Sequence, residues 1–380
     1  MLDSRFFQAS EAAALVWDVP SIALGMSVGD RIETAAVGCD PGTRFRIASV
    51  TKPFTAALAL ELLDVEAPTG VWEPDVRVRH LLSHTSGYDS EVAAGEQAAF
   101  DGADDPLEAQ LPALASVRRW LGVEQCWSYA NSGFWLAGWL AARAAGSTFE
   151  EALTARIIRP LGLESTSFDD PDVPGTGVDA NDGSYPQARR PSGGLVSNVP
   201  DLLRFGRRLL AERRMRIVHG KSVAGVYGLG LAGERVGGVE VWGHPGSWGG
   251  YQTSLLTVPD RDAVFVGLTN ASRGSKALRE IEDEFLQRLL GAQRRVPETV
   301  ELPDEVREEL TGSYANSDGW YEVSFAIDGL ALKLEDGEFA ARAIGERTFE
   351  ITERDHIRER FDFPLEGFGR FGSRLAERVA

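Results

Sequence analysis

The sequence predicts an α/β chain of the α+β kind, in which an antiparallel sheet packs with a helical region and a small antiparallel β-barrel follows. Two observations predict this architecture. Strand-like patterns occur at both ends of the first 295 residues, and helix-like and loop-like sequence lies between them, from about 54 to 215. Short alternating runs replace the helical periodicity after residue 301. We therefore expect one domain at 1–295 and a second at 301–380.

The first domain is expected to begin with a helix and two strands. The strand-like stretches SIALGMSV (21–28) and RIETAAVG (31–38) follow the N-terminal helical stretch. Strand patterns return from about 222 to 270, and Ala277, Ile281 and Phe285 then recur at helical spacing in a final amphipathic helix. The sheet is thus assembled from both ends of the domain, and a ligand pocket is expected where it meets the helical region.

A run rich in proline and charge, AQRRVPETVELPD, separates the two domains. Beyond it, apolar and polar residues alternate, and the dipeptides Asp328-Gly329 and Asp336-Gly337 are typical of tight β-hairpin turns. This pattern predicts the antiparallel barrel, and no catalytic constellation is visible in it.

Composition excludes several classes of function. The 380 residues hold 39 basic and 57 acidic side chains, a net charge of −18, which argues against nucleic acids and anionic membranes as partners. The N-terminus lacks the basic and apolar segments of a secretory signal, and no run is long enough to span a membrane. Cys39 and Cys126 are outside any metal-ligand spacing. We expect a cytoplasmic protein without a metal or cofactor.

The stretch Ser49-Val50-Thr51-Lys52 carries the strongest chemical signal. If Ser49 opens a helix, Lys52 lies on the same face, where its amine can take the proton of the hydroxyl. The apolar run after Pro53 predicts a buried helix, in which a lysine requires a reason. The alternative is a core helix whose lysine reaches water. Pro53 disfavours a helical Lys52, so we expect an irregular first turn.

Two further clusters carry polar residues at the ends of predicted elements. Tyr129 and Asn131 lie on the loop that enters a helix. His244, Gly246 and Ser247 precede a stretch that alternates like a strand. Taken alone, a residue such as Tyr129 is more often a core tyrosine, and one such as His244 is more often a histidine in a turn.

In the order S-x-x-K, Y-x-N, H-x-G, and with the segments 78–87, 160–168, 193–205 and 266–270, the chain resembles the penicillin-recognising serine hydrolases. It is most similar to the branch of class C β-lactamases, D-alanyl-D-alanine carboxypeptidases, D-aminopeptidases and esterases with a β-lactamase fold. The resemblance implies a β-lactamase/transpeptidase-like fold over 1–295 and chemistry through an acyl-enzyme.

The resemblance also implies roles for the residues of the three clusters. Ser49 would be the nucleophile, Lys52 and Tyr129 would share proton transfer, and the N–H groups of Ser49 and Ser247 would hold the oxyanion. The substrate-binding residues would be Asn131, His244, Gly246 and Ser247.

Two departures from the family pattern concern substrate recognition. His244 stands where many relatives have the lysine of K-T-G, so a permanent cation becomes a group whose pKa is ordinarily about 6.5. Pro245 replaces a residue that is often threonine. Both changes weaken the case for recognition of a substrate carboxylate at this strand.

Several alternatives stay open or fall at this point. His80 and His84 have the spacing of metal ligands but no third partner in the sequence, and PGSWG (245–249) lacks the first glycine of a nucleophile elbow.

We expect an esterase acting on small-molecule esters or amides. The alternatives are a D-amino-acid peptidase or amidase, a D-alanyl-D-alanine carboxypeptidase or β-lactamase, and a non-catalytic scaffold. The sequence does not give the oligomeric state.

Overall fold

The structure is a computed structural model that describes residues 4–91, 100, 102–178, 180, 185–222, 224–317, 319–326, 329–334, 337–353, 356–371 and 373–379. The predicted turn residues Asp328 and Asp336 lie outside the described residues.

The chain forms helices and strands in the following order. The helices are α1 Ser4–Val16, α2 Thr51–Leu62, α3 Val78–Leu82, α4 Pro106–Ala109, α5 Leu111–Ala115, α6 Asn131–Ala145, α7 Phe149–Leu153, α8 Arg190–Gly193, α9 Val199–Ala211, α10 Gly274–Leu290 and α11 Asp304–Leu310. The strands are β1 Ile22–Val28, β2 Arg31–Val37, β3 Phe45–Arg46, β4 Val196–Ser197, β5 Gly220–Lys221, β6 Val226–Tyr227, β7 Ala232–Val236, β8 Val239–Trp248, β9 Tyr251–Val258, β10 Ala263–Thr269, β11 Gly312–Asn316, β12 Gly319–Ala326, β13 Gly329–Leu334, β14 Gly337–Gly345, β15 Thr348–Glu353, β16 His356–Leu365, β17 Phe368–Phe371 and β18 Arg374–Arg378.

An eight-stranded antiparallel sheet is built from both ends of the first domain, as predicted. Its strand order is β2-β1-β10-β9-β8-β7-β6-β5, so β1 from the N-terminal end pairs with β10. Helices α1 and α10 pack on one face, where Trp17, Ile281 and Phe285 share a core. Helix α9 packs against the opposite face together with the helical region. The strongly apolar β10 is buried along its whole length because both faces are covered.

Helix α2 is the centre of the helical region. Its side chains are buried from Thr51 to Leu60, and α6 and α8 pack around it. The irregularity predicted from Pro53 lies one turn earlier than expected, in a 3₁₀ turn at Ala48–Val50. Lys52 itself is helical. Pro53 is accepted there because the first N–H groups of a helix have no partner within the helix.

The C-terminal segment closes into an antiparallel barrel, which confirms the predicted architecture. Strands β11 to β18 pair in chain order, and β11 pairs with β18 to complete the ring. Its core contains a cluster of aromatic rings, with Tyr314, Phe349, Phe361 and Phe363 in contact. Closure removes the free strand edges of this domain.

The cluster around His244 lies inside β8 rather than before a strand. Strand β7 pairs with β8 only as far as Gly243, whereas β9 pairs with β8 as far as Trp248. The second half of β8 therefore has a free edge. The two glycines at 249–250, both at positive φ, form the turn into β9.

Candidate active site

Ser49 lies on the 3₁₀ turn that connects β3 to α2. The turn is fixed on two sides: the Ile47 N–H donates to Leu195 O (3.0 Å), and Thr253 Oγ1 donates to Ile47 O (3.0 Å). Ala48, just before Ser49, has φ +44°, a conformation that is costly for a residue with a Cβ. Such strain is typical of functional turns. The turn leaves Ser49 half-buried between the helical region and the sheet.

Lys52 is the second residue of α2, three positions after Ser49, and its amine points back to Ser49. The Lys52 Nζ is 3.1 Å from Ser49 Oγ and 2.8 Å from the carbonyl oxygen of Ser192 on α8. The side chain has 0% exposure, so it does not reach water. The alternative of a lysine that extends from a core helix to solvent is therefore excluded by the geometry.

Tyr129 approaches Ser49 from the loop before α6. Its hydroxyl donates to Ser49 Oγ at 3.0 Å, and its ring lies 4.7 Å from the Lys52 ammonium nitrogen. The structure thus brings together Ser49 and Lys52 of one motif and Tyr129 of a second. A hydroxyl with an amine and a phenol on either side is the arrangement that nucleophile activation requires.

Burial drives the proton affinities of the two flanking groups in opposite directions. It lowers the pKa of Lys52 well below its ordinary value, and the nearby Arg374 cation lowers that pKa further, while Glu91 opposes the change. Burial raises the pKa of Tyr129 above its ordinary value. Both directions favour the uncharged forms, an amine and a protonated phenol.

Ser49 Oγ accepts hydrogen bonds from both flanking groups, Lys52 Nζ and the Tyr129 hydroxyl, and Lys52 Nζ also donates to Ser192 O. In its uncharged form the Lys52 amine additionally carries a lone pair that can accept a proton.

The free edge of β8 forms the wall opposite α2. A side chain at Gly246 would place its Cβ closer than 3.0 Å to Ile47 O, and 3.2 Å from the Ser49 nitrogen. Glycine is therefore required for the strand to lie on the Ser49 turn. The next residue, Ser247, is exposed, and its hydroxyl accepts from Gln252 Nε2 (2.8 Å).

His244 is buried in β8, and its ring lies beside the Tyr129 ring, with centroids 6.1 Å apart. Its side chain is 2% exposed; Nε2 lies 2.9 Å from the Tyr227 hydroxyl, and Nδ1 lies 2.6 Å from Pro245 O. The same hydroxyl lies 3.2 Å from His84 Nε2, and His84 Nδ1 accepts from the Ala130 N–H (3.0 Å). These partners fix both imidazole tautomers.

The sequence predicts that His244 changes charge near pH 6.5, but its buried position in the structure does not allow this. Burial lowers the pKa of His244 to about 3, and the Lys52 charge acts in the same direction. The imidazole is therefore neutral throughout the physiological range, and it does not change charge near pH 6.5. The reason is the burial of the side chain, which the motif does not encode.

Asn131 begins α6 and contacts a charged cluster that the sequence did not indicate. Its Nδ2 donates to Glu91 Oε1 at 2.7 Å. Glu91 also pairs with Arg189 (2.7 Å) and with Arg374 from the barrel (3.4 Å). One carboxylate thus joins three segments that are distant in the sequence.

Aromatic residues complete the surroundings of the site. Trp248, at the end of β8, is half-buried and meets Tyr185 edge-to-face with ring centroids 5.0 Å apart. The Arg46 guanidinium lies 5.4 Å from the Trp248 ring. Trp127 and Tyr251, which also flank the motifs in sequence, are buried core residues. Of these three aromatic residues beside the motifs, Trp248 is the one that is partly exposed.

The pair His80 and His84 is not arranged as a metal site. His80 Nδ1 accepts from the Arg77 N–H, and His84 Nδ1 accepts from the Ala130 N–H. Within the described ranges, no group of three or more His, Cys, Asp or Glu side chains could hold a metal ion.

A family model described as Beta-lactamase matches residues 10–287. This range covers the sheet, the helical region and all three motifs. The chain belongs to the β-lactamase family. The match ends before the barrel, which begins at β11.

Three similar proteins illustrate the range of this β-lactamase family. Penicillin-binding protein 4 of Amycolatopsis lactamdurans is 27% identical over 367 residues, covering 79% of this chain and 94% of its own. Esterase EstB of Burkholderia gladioli is 28% identical over 232 residues, covering 53% of this chain and 59% of its own. A crystal structure of SurE with D-Leu superposes with a TM-score of 0.78 and 22% identity over 99% of both chains.

The likeness to SurE concerns the fold and includes the barrel, since it extends over almost the whole chain. In this β-lactamase-family member, none of the helices that the structure describes is long and apolar enough to cross a membrane.

Sequence reasoning missed Glu91, Ser192, Tyr227 and Arg374 as residues of the site. Ser192 acts through its main-chain carbonyl, which any residue supplies, so it leaves no signal in the sequence. Arg374 lies 245 positions after Tyr129, in a domain without a motif. Only the packing of the barrel on the first domain identifies it.

Proposed function

We propose that this protein is a serine hydrolase that forms an acyl-enzyme with small-molecule esters or amides, with esters the faster class. The observation that supports this most directly is the continuous set of hydrogen bonds Tyr129–Ser49–Lys52–Ser192 around one half-buried hydroxyl. Membership of a hydrolase family adds support. A scaffold without turnover gives no reason to bury a lysine beside that hydroxyl.

In the proposed acylation step, Ser49 Oγ attacks the substrate carbonyl carbon while its proton passes to Lys52 Nζ. The C–O or C–N bond to the leaving group then breaks, and the leaving group takes a proton from the Lys52–Tyr129 pair. Because Tyr129 and Lys52 both contact Ser49 Oγ, they share this transfer. Water then hydrolyses the acyl-enzyme by the reverse proton path.

The negative charge of the tetrahedral intermediate needs donors near Ser49. We assign the Ser49 and Ser247 main-chain N–H groups to this role, because Gly246 allows β8 to lie against the Ser49 turn. Main-chain donors held by a turn and a strand cost little reorganisation when the charge develops. Asn131 would border the same space, next to Glu91.

The β8 wall favours ester substrates whose acyl part is uncharged. His244, in place of the family's lysine, is neutral and bonded to Tyr227 and Pro245 O, so β8 offers no cation for a substrate carboxylate at residue 244. Half-buried Trp248 offers an apolar surface instead.

D-amino-acid amides or peptides are a second candidate class. The likeness to SurE, crystallised with D-Leu, extends over both domains. The cluster of Arg189, Arg374 and Glu91 carries a net positive charge beside Tyr129. Such a charge would suit a substrate with an anionic group on that side.

The test is labelling with a fluorophosphonate serine probe, followed by assays on aryl esters, D-amino-acid amides and a chromogenic cephalosporin. We expect the label on Ser49, turnover of short-chain aryl esters well above that of the cephalosporin, and loss of both in Ser49→Ala with an unchanged thermal midpoint. Ser116→Ala, at an exposed serine, is the control.

Label mapped to Ser247 or Ser86 would overturn the choice of nucleophile. Equal kcat/KM on the cephalosporin and the esters would overturn the substrate order, and amides faster than esters would favour the second candidate class.

A further inference from the structure

Two hydrogen bonds join the barrel to the loop that carries Tyr129, one between main-chain groups and one from a main-chain N–H to a side-chain hydroxyl. The Tyr129 N–H donates to Ser373 O (2.9 Å), and the Leu375 N–H donates to Ser128 Oγ (3.0 Å). The barrel residues lie at the junction of β17 and β18. Ser373 has φ +74°, so the chain adopts a costly conformation at the point of contact. The loop before α6 is thus held from outside its own domain.

Arg370 on β17 adds a buried polar contact at the same place. Its side chain pairs with Asp362 of the barrel, and Nη1 donates to Trp127 O (2.8 Å) and Lys221 O (3.0 Å) of the first domain. The residue is 4% exposed. A buried guanidinium that satisfies main-chain acceptors of another domain fixes the two domains relative to one another, because separation would leave those groups unpaired.

Arg374, the first residue of β18, places a charge beside the catalytic residues. Its guanidinium carbon lies 5.9 Å from the centroid of the Tyr129 ring, and Lys52 Nζ lies 4.7 Å from the same centroid. Ser373 and Leu375, on either side of Arg374, make the two hydrogen bonds to the Tyr129 loop. These bonds fix the backbone that carries the cation, and the guanidinium itself pairs with Glu91 (3.4 Å).

We propose that the barrel is a working part of the active site: β17 and β18 hold the Tyr129 loop in place, and the Arg374 cation keeps Lys52 in its neutral, proton-accepting form. The proposal rests on the proposed function, in which Lys52 accepts the Ser49 proton. It gives the C-terminal domain a role in catalysis that does not depend on a site of its own.

The electrostatic step follows from the groups that face Lys52. Two positive charges close together in a water-poor site repel, so Arg374 disfavours a second proton on Lys52, in the same direction as burial. Glu91 acts in the opposite direction. His84 and His244 also face Lys52, but both are buried and neutral, and Tyr129 keeps its proton. Arg374 and Glu91 are thus the charges that tune this lysine.

The test is the pH profile of kcat/KM on a neutral aryl ester for Arg374→Gln, Arg374→Lys and Glu91→Gln. Protonation of Lys52 removes the base, so activity falls on the acidic side. Without Arg374 the fall should begin at higher pH, which lowers kcat/KM on the acidic limb by about fivefold to tenfold. Arg374→Lys should restore the wild-type limb, and Glu91→Gln should move it to lower pH.

Arg378→Gln is the matched control for charge and strand. Arg378 lies on β18 but donates to Glu309 O and Thr311 O, away from Tyr129, so its removal should leave the acidic limb in place.

Ser128→Ala tests the contact between β18 and the Tyr129 loop separately, since it removes only the acceptor of the Leu375 N–H. We expect kcat to fall several-fold with KM nearly unchanged, because the loop positions the Tyr129 hydroxyl.

The outcomes separate this inference from the function on which it rests. If Ser49 is labelled and esters turn over, but Arg374→Gln keeps the wild-type acidic limb, the charge role is wrong and the hydrolase stands. A loss that is equal at every pH and not rescued by Arg374→Lys would reduce Arg374 to a structural contact and also overturn the proposal. If wild type neither labels nor turns over, the proposed function and this inference both fall.

Discussion

The active site has two walls with different roles. The helical wall consists of the Ser49 turn, α2 and the loop before α6, and the sheet wall is the second half of β8. On the helical wall, Ser49, Lys52 and Tyr129 bond to one another and to main-chain atoms. On the sheet wall, the second half of β8 has a free edge with Pro245 and Ser247 exposed. The first wall is closed by its own hydrogen bonds, and the second is open to whatever binds.

The difference shows where chemistry and recognition reside. Burial on the helical wall favours a neutral amine and a protonated phenol, which is the state that can accept the proton of a hydroxyl. On the sheet wall the titratable side chain, His244, is buried, and the exposed groups are uncharged. The helical wall therefore sets the reaction, whereas the sheet wall limits which substrates fit.

The largest effect in a site that keeps its nucleophile is expected on the helical wall, from Tyr129→Phe. The substitution keeps the ring that packs on Lys52 but removes the hydroxyl that bonds to Ser49 Oγ. Loss of general acid–base catalysis should lower kcat by about 10² to 10⁴. Steady-state kinetics on an aryl ester measures this, with the thermal midpoint as a check on folding.

Tyr88→Phe is the control, because Tyr88 is also a buried tyrosine with a bonded hydroxyl but lies against Trp72, away from Ser49. Its kcat should stay near wild type. A Tyr129→Phe enzyme with wild-type kcat would mean that proton transfer runs through Lys52 alone.

A smaller effect is expected on the sheet wall from Gly246→Ala. The new Cβ would meet Ile47 O and Thr253 Oγ1 at less than 3.0 Å, so β8 must move away from the Ser49 turn. Displacing an oxyanion donor should lower kcat by roughly tenfold to a hundredfold, and the crowding should cost about 1 to 3 kcal/mol of unfolding free energy. Kinetics and urea unfolding measure the two effects.

Gly42→Ala serves as the comparison, since nothing lies within 4 Å of its added Cβ. That variant should match wild type in both assays. If Gly246→Ala lost stability but kept full kcat, the β8 edge would have no part in holding the oxyanion.

The sequence was sufficient for the helical wall because its signals are local. The i, i+3 spacing brings Lys52, at the start of α2, back to Ser49 on the 3₁₀ turn before it, and the apolar run behind them predicts burial. Tyr129 followed from the start of α6. The barrel was predictable as well, because alternation marks its strands even though two of its turns, at Asp328 and Asp336, are outside the described residues.

The sheet wall and the charges around the site were not predictable in the same way. His244 occurs in a motif position, but its burial depends on Tyr227 and His84, which reach it from other segments. The position of Arg374 depends on how the barrel packs against the Tyr129 loop. Such burial and domain packing are tertiary properties, and a motif carries no information about either.

The last prediction concerns the buried His244 and the stability of the protein below neutral pH. In the unfolded chain His244 has a pKa of about 6.5, whereas burial lowers its pKa to about 3 in the folded protein. Between these values the unfolded state binds the proton and the folded state does not. The stability contributed by neutral His244 is thus fully present above about pH 6.5 and is lost as the pH falls toward 3, by up to about 1.4 kcal/mol per pH unit. His84 acts in the same direction.

The His244→Gln variant isolates this contribution. Glutamine cannot take a proton, so the plot of unfolding free energy against pH should be less steep than wild type between about pH 6 and pH 4. Urea unfolding at a series of pH values gives both slopes, and the contributions of the carboxylates are common to the two proteins. At pH 7 the variant should be the less stable of the two, because the Tyr227 hydroxyl loses a well-placed partner. The gap should narrow as the pH falls. Parallel slopes would mean that the imidazole is charged or solvated in the folded state, and the sheet wall would then carry a titratable group facing the substrate after all.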